Sequence, residues 1–182
     1  DWSSDVCSSD LGVAAAADRR GLMFVTAALG DLREWSVQTP VEERRPQATL
    51  TAAKVGLAGE RGRADWKTRF DRLASALADG TPLIAAAYAD AERAEAPGAA
   101  QIVAFACERR SPMVLIDTFR KDGRGLLQWL EIAQLLEMRR QCSEHGVGLA
   151  LAGSLGLADL ERLVEVGPAV LAMRGAACAA GD

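Results

Sequence analysis

Apolar and polar positions alternate along the chain in two distinct patterns. Short, nearly uninterrupted apolar segments, bounded by glycine, proline or charged residues, are typical of strands buried on both faces. Between them, apolar residues recur every three or four positions, which is typical of amphipathic helices. The strand pattern occurs six times, at residues 22–28, 49–59, 82–90, 112–119, 147–154 and 169–178.

The helical pattern predicts four helices, which follow the second to the fifth of these segments. The first ends by Gly80, the second begins after Gly98, and the fourth is broken at Gly167-Pro168. The third is the longest and ends near His145, which we expect to act as a cation at the helix C-terminus. The predicted inward-facing residues are Trp66, Phe70, Leu73 and Leu77; Ile102, Val103 and Ala106; Leu127, Leu130, Leu135 and Met138; and Leu160, Leu163 and Val164.

Strands that are apolar throughout and alternate with helices predict an α/β fold, either an open doubly wound sheet or a (β/α)8 barrel. The pattern G-x-G-x-x-G of dinucleotide-binding doubly wound folds is absent. Polar residues within or at the carboxyl ends of the segments favour the barrel, whose enzymes carry their chemistry at that end. Six segments then account for about six of its eight strand–helix units. The polar residues are Lys54, Asp90, Asp117, Ser154 and Arg174.

The first eleven residues, DWSSDVCSSDL, differ from the rest of the chain. They are rich in serine and aspartate, have no apolar period, and lack the basic and apolar regions of a signal peptide. The string resembles the conceptual translation of a sequencing-library adapter. We therefore interpret residues 1–11 as foreign to the gene and residues 12–182 as a partial barrel domain. A natural disordered N-terminus is the alternative.

Composition narrows the classes of partner and compartment. Of the 182 residues, 49% are apolar and 25% are charged, and the net charge is -4, as in ordinary globular domains. Basic residues are interleaved with acids, which argues against a nucleic-acid partner, and no apolar run is long enough to span a membrane. Four cysteines without a C-x-x-C pair, and one histidine, argue against a zinc site. The reducing cytoplasm is the expected compartment.

Lys54 stands inside an apolar segment, between Ala53 and Val55. A lysine within a buried strand is rare, because its charge is costly to desolvate unless it is paired. Desolvation or a neighbouring cation lowers the pKa of a lysine, which makes it a usable base or an imine-forming amine. The alternative is a strand lysine that reaches out to solvent.

Asp117 ends the fourth segment, and Lys121 follows it by four residues. The carboxylate can pair with this ammonium and orient it, or Lys121 can hold a substrate phosphate. A helix-capping aspartate beside a solvated lysine fits the residues equally well. We interpret the acidic stretch 90–95 as a solvated face, with the alternative that Tyr88 and Asp90 point into the mouth of the barrel.

The last two segments end in Gly153-Ser154 and in Arg174-Gly175-Ala176. Small residues let backbone N–H groups approach an anion, and a following helix N-terminus adds partial positive charge. Barrels frequently build a phosphate site from their last two loops, and Arg174 can contact a phosphate through two parallel hydrogen bonds. A structural ion pair for Arg174 and ordinary turn geometry for the glycines are the alternatives.

Five motifs occur in an order that resembles one enzyme family. They are KVGLAG at 54–59, AAAYADA at 85–91, LIDTFRKDG at 115–123, LALAGS at 149–154 and VLAMRGAACAAGD at 170–182. Together they resemble the (5-formylfuran-3-yl)methyl phosphate synthases, the furan-forming enzymes of methanofuran biosynthesis. The resemblance covers about residues 21–182.

This resemblance implies a (β/α)8 barrel that condenses two molecules of glyceraldehyde 3-phosphate, with loss of water and one phosphate. It implies no metal or organic cofactor, a phosphorylated triose as the partner, and leaves a homo-oligomer open. One triose would form an imine with a lysine, and the enamine formed by deprotonation would attack the second aldehyde. By the same likeness, Lys54 is the general base, Asp117 and Lys121 support it, and the phosphate-binding residues are Gly153, Ser154, Arg174, Gly175 and Ala176.

One motif of the family is missing from the early part of this chain. The imine-forming lysine of the family lies in an Asp-x-Lys setting on an early strand, and no such motif precedes Lys54. We therefore expect this chain to be inactive or nearly so, and less stable than a closed barrel because two sheet edges would be open. Two other functions stay open: another phosphosugar aldolase or lyase on the same barrel, and a non-catalytic barrel remnant that binds a phosphorylated metabolite or a partner chain.

Overall fold

The computed structural model describes residues 26–35, 51–77 and 80–173. These residues form six strands, four α-helices and two short 3-10 helices, Leu32–Glu34 and Leu126–Gln128. No helix in these described segments is both long and apolar enough to cross a membrane. The strands are β1 (Thr26–Asp31), β2 (Ala52–Gly56), β3 (Leu83–Tyr88), β4 (Met113–Asp117), β5 (Gly148–Leu151) and β6 (Val170–Leu171). The α-helices are α1 (Trp66–Ala76), α2 (Ala99–Glu108), α3 (Ile132–Glu144) and α4 (Leu157–Val166).

The six described strands form one parallel sheet, so the predicted α/β class is confirmed. Their order in the sheet is their order in the chain, from β1 to β6. A doubly wound sheet would instead reverse its order at a switch point. Because the strands are parallel, their carboxyl ends lie along the same edge of the sheet.

Alternate strand residues divide between two faces of the sheet. Ala53 and Val55 of β2 join the large apolar core to which all four described α-helices contribute, and we call this side the helix face. Ala52 joins a smaller apolar cluster on the opposite side. We call that side the site face. By strand alternation and register, it carries Ala52, Lys54 and Gly56 of β2, Ile84, Ala86 and Tyr88 of β3, Leu115 and Asp117 of β4, and Ala150 and Ala152 at β5.

The first strand extends further along the chain than its apolar pattern predicts. The pattern covers residues 22–28, whereas β1 continues to Asp31. Its register with β2 shifts between Ala28, opposite Lys54, and Asp31, opposite Gly56. The bulge adds one residue, and Gly30 in this stretch has φ +77°, a conformation that glycine adopts without strain. Asp31 is thereby returned to the site face.

The helices follow the predicted pattern with two differences. Leu127 and Leu130 still pack on the helix-face core, but they lie in and after a 3-10 turn, because α3 begins only at Ile132. The inward position predicted for Val164 is wrong, since this residue is 64% exposed. Val166 is buried in its place, because the buried stripe of α4 advances by three residues from Leu163.

Candidate active site

The carboxyl end of β4 carries an ion pair. Lys121 donates from Nζ to Asp117 Oδ1 and to the carbonyl oxygen of Thr118, each at 2.8 Å. The backbone N–H of Thr118 donates to the same carboxylate oxygen at 2.7 Å. Asp117 is buried, whereas the Lys121 side chain is 43% exposed. The expected contact between Asp117 and Lys121 is therefore present, and it leaves the ammonium within reach of a ligand.

The loop after β5 packs against this same end of β4. Gly153 has φ +107°, and a Cβ atom built on it would lie 2.9 Å from both the backbone nitrogen and Cγ2 of Thr118. Only glycine fits such an approach, so Gly153 and the exposed Ser154 lie beside the Asp117–Lys121 pair. At the start of α4, the backbone N–H of Gly156 donates to Asp159 Oδ2 at 2.9 Å. A phosphate bound at the start of α4 would therefore compete with the Asp159 carboxylate for this N–H group.

Lys54 lies on the site face of β2, where it is partly buried. Its register partners are Ala28 of β1 and Ile84 of β3. Strand β3 separates it from β4, and the register puts Lys54 level with Met113, four residues before Asp117. The two backbone positions are therefore about 16 Å apart. The structure thus places Lys54 and Asp117 on one face, on strands that are next-nearest neighbours.

A buried carboxyl–phenol pair joins β1 to β3 on this face. Tyr88 Oη donates to Asp31 Oδ1 at 2.9 Å, and the backbone N–H of Ala58 donates to the same oxygen at 3.2 Å. Gly56 lies beneath them, and a Cβ atom on it would overlap both Tyr88 Oη and Asp31 Oδ1. Burial raises the pKa of Asp31, although the hydrogen bonds from Tyr88 and Ala58 oppose this effect. Burial, followed by the charge of Asp31, also raises the pKa of Tyr88.

The sequence pattern does not indicate Asp31 as a site residue, because Asp31 follows the first apolar segment and looks like its boundary. The available signal was an aspartate that directly follows a glycine at the carboxyl end of a predicted strand. The sequence offers Tyr88 only as an alternative site residue; the structure places it at the end of β3, with its hydroxyl hydrogen-bonded to Asp31.

Asp90 corrects the interpretation of residues 90–95 as a solvated face. It is 2% exposed and accepts hydrogen bonds from the backbone N–H groups of Phe119 at 2.6 Å and Arg120 at 3.2 Å. Arg93 extends this link, since its guanidinium lies 3.9 Å from Asp90 and 2.7 Å from Asp122. The carboxylate therefore holds the loop that carries Lys121, a role that local sequence polarity does not reveal.

Part of the predicted site lies outside the described residues. These positions are Arg174, Gly175 and Ala176 of the second phosphate loop. The N-terminal stretch 1–11 also lies outside the described residues. Among the residues that the structure does describe, no group of three or more histidine, cysteine, aspartate or glutamate side chains is arranged to hold a metal ion.

Comparison with known proteins decides the family. The model of the family described as 4-HFC-P synthase matches residues 11–182. The chain belongs to this family. It is 34% identical over 165 residues to the (5-formylfuran-3-yl)methyl phosphate synthase of Methanothermobacter thermautotrophicus, a match that covers 88% of this chain and 69% of the relative. The resemblance found in the sequence motifs is thereby confirmed.

Two further relatives carry the same enzyme name. The protein of Methanococcus maripaludis strain S2 is 32% identical over 166 residues, covering 88% of this chain and 70% of the relative. That of Methanopyrus kandleri is 33% identical over 133 residues, covering 71% of this chain and 56% of the relative. This member of the 4-HFC-P synthase family thus belongs to a family of enzymes.

Proposed function

We propose that the protein is a (5-formylfuran-3-yl)methyl phosphate synthase, a lyase that condenses two molecules of glyceraldehyde 3-phosphate with loss of water and one phosphate. The observation that carries this proposal is a shared face. Lys54 and Asp117 lie on one face of the parallel sheet, and the Asp117–Lys121 pair and the loop at Gly153 lie at its carboxyl edge. A base, an exposed ammonium and a close-packed glycine loop suit carbon–carbon condensation of a phosphorylated aldehyde.

The proposed roles follow from these positions. Lys54 removes a proton from the carbon next to an imine, and the resulting enamine attacks the second aldehyde. Lys121, held by Asp117, stabilises negative charge on a carbonyl or phosphate oxygen. Gly153 and Ser154 bind one phosphate, together with Arg174, Gly175 and Ala176. The imine itself withdraws the electrons, so the route needs neither a metal nor an organic cofactor.

A (β/α)8 barrel is the architecture that we propose around this site. Sequential order in a parallel sheet, with the described α-helices packed on one face, supports it. The six described strands would be six of its eight. We further propose that the protein acts in the cytoplasm on a phosphorylated triose, without nucleic-acid or membrane partners, with a homo-oligomer as an open possibility.

The test begins with the gene. The locus is sequenced upstream of the codon for Gly12, and its product is compared with the 182-residue chain. Both are given glyceraldehyde 3-phosphate, and furan absorbance and released phosphate are followed. We expect an in-frame extension with Asp-x-Lys on its second strand, furan formation by the longer product, and little or none by the shorter one.

Variants of the longer product then test the base. Lys54→Met should lower kcat by about 100-fold or more, as loss of general-base catalysis does. Lys67→Met is the matched control, because Lys67 lies on α1 and pairs with Glu108 at 3.0 Å. An extension without the lysine, with phosphate binding but no turnover, would favour the non-catalytic binder. Turnover only with another carbonyl compound in substrate competition would favour a different aldolase.

A further inference from the structure

The Asp31–Tyr88 pair has no role in the mechanism proposed above. These residues are 3% and 0% exposed, come from β1 and β3, and meet above β2. Burying a carboxyl and a phenol costs free energy that an apolar contact would avoid. Gly56 must also lack a side chain for the pair to form. Three positions on three strands therefore serve one hydrogen bond, which suggests a purpose beyond packing.

The pair lies in the side-chain layer next to Lys54. Asp31 is opposite Gly56 in the register, and Lys54 is two residues earlier on the same strand and the same face. The backbone positions of Lys54 and Gly56 are therefore about 6.6 Å apart along β2. Tyr88 Oη and Asp31 Oδ1 occupy the space into which a Gly56 side chain would point. The four-carbon stem of lysine is long enough to bring Nζ from position 54 to these atoms.

We propose that Asp31 and Tyr88 are positioning residues that hold the amine of Lys54 at the reacting carbon. This inference rests on the proposed role of Lys54 as the base. When Lys54 takes the proton, the electron pair of the broken C–H bond stays in the enamine and Nζ becomes an ammonium. The Asp31 carboxylate stabilises that ammonium, which favours proton removal. The Tyr88 hydroxyl donates to the same oxygen and so weakens the attraction enough for the proton to leave again.

Other charged groups border the pair and stay in place in the variants below. Arg33 lies 4.0 Å from Asp31 Oδ2, and Glu34 accepts the backbone N–H of Asp31 at 3.1 Å. Asp117 is the register partner of Tyr88. The two register partners of Lys54, Ala28 and Ile84, are apolar. Among the acidic residues of β1 and β3, Asp31 is therefore the one nearest to Lys54 on the site face.

The experiment measures the amine of Lys54 directly, without substrate. The 182-residue chain and its variants Asp31→Asn and Tyr88→Phe are labelled with trace acetic anhydride from pH 7 to 11, and the labelling of each lysine is read by mass spectrometry. Asp31→Asn removes an anion and should lower the apparent pKa of Lys54 by about one unit. Tyr88→Phe frees the carboxylate for the ammonium and should raise it. Lys67 on α1 is the internal control and should not move.

Opposite shifts in the two variants would support the proposal, since a loosened fold would change both in the same direction. Shifts below about 0.2 unit in both folded variants would overturn it. Should Asp31→Asn fail to fold, Tyr88→Phe decides alone, because it keeps the ring that packs edge-on to Phe119. An unchanged or lowered pKa of Lys54 would then overturn the proposal.

Turnover separates this inference from the proposed function. In the active gene product, Tyr88→Phe should lower kcat about tenfold, leave KM nearly unchanged and move the acid limb of the kcat–pH profile. If Lys54→Met kept its activity, the proposed function of Lys54 would fail. The labelling shifts would still report whether the pair faces that lysine.

Discussion

The two faces of the sheet use the same strands for different purposes. On the helix face, large side chains interlock: the ring of Phe105 meets those of Trp66 and Phe70 edge-on, at centroid distances of 4.7 and 5.3 Å. On the site face, the apolar cluster consists mostly of alanines, and charged groups such as Lys54 and Asp31 stand among them.

This difference shows how period-two alternation separates two requirements. A strand residue points to one face and its neighbour to the other, so the core can be filled without filling the site. Small residues on the site face leave room for a ligand and for polar side chains. We therefore expect substitutions on the helix face to change mainly stability, and those on the site face to change mainly the geometry of the polar groups.

Truncating an aromatic residue on the helix face should have the largest effect. Phe105→Ala would leave a cavity between α1 and α2 and should cost about 3–5 kcal/mol of unfolding free energy. Urea unfolding followed by circular dichroism measures it. Leu157→Ala is the control, because Leu157 is 73% exposed, and it should cost less than about 0.5 kcal/mol. Equal losses of unfolding free energy in the two variants would show that Phe105 of α2 is not packed in the core as the structure indicates.

Adding one methyl group to the site face should have an intermediate effect. Gly56→Ala would place Cβ on the atoms of the Asp31–Tyr88 hydrogen bond and force the two side chains apart. We expect a loss of about 1–3 kcal/mol, measured by the same unfolding experiment.

Gly98→Ala provides the matched control for this substitution. Gly98 precedes α2 with φ -61°, and no atom lies within 4 Å of a Cβ built on it. Its loss should stay below about 1 kcal/mol, the effect of a poorer helix cap. If Gly56→Ala lost as little unfolding free energy as Gly98→Ala, the Asp31–Tyr88 hydrogen bond would tolerate displacement. Its close contact with Gly56 would then not contribute to stability.

Local pattern was sufficient for most of the fold. The buried segments, the start of α2 after Gly98 and the end of α3 near His145 follow from apolar spacing and glycine chemistry within a few residues. The β1 bulge does not, because an extra residue is specified by pairing with β2 rather than by the strand itself. Val164 shows the same limit on a helix, where two spacings fit the sequence and packing selects one.

The site was predictable where partners are close in sequence. Asp117 and Lys121 are four residues apart, so their contact could be expected from the chain alone. Asp31 and Tyr88 are 57 positions apart, and Asp90 reaches the N–H of Phe119 across 29. Such contacts depend on strand order and register, which a single sequence does not determine. From the sequence alone, Asp31 therefore marks only the boundary of an apolar segment, and Asp90 is interpreted as part of a solvated face.

The smallest predicted effect concerns the charge of Asp31. Because burial raises its pKa above the ordinary value of 3.8, the folded chain binds this proton more tightly than the unfolded chain does. Between 3.8 and the folded pKa, the contribution of Asp31 to stability falls as pH rises. Asparagine keeps an oxygen for Tyr88 but cannot ionise. Relative to wild type, Asp31→Asn should therefore gain stability as pH rises from 3.8 to 7.

Asp122→Asn is the control of opposite sign, followed by unfolding at the same series of pH values. A hydrogen bond from Arg93 lowers the pKa of Asp122 to about 2, so this carboxylate stabilises the fold above 3.8 and loses its effect as pH falls toward 2. The asparagine variant should be the less stable one at neutral pH and should converge with wild type in acid. If both variants changed with pH in the same direction, burial of Asp31 would not be the source of its effect, and the site face would carry its charge without a cost to stability.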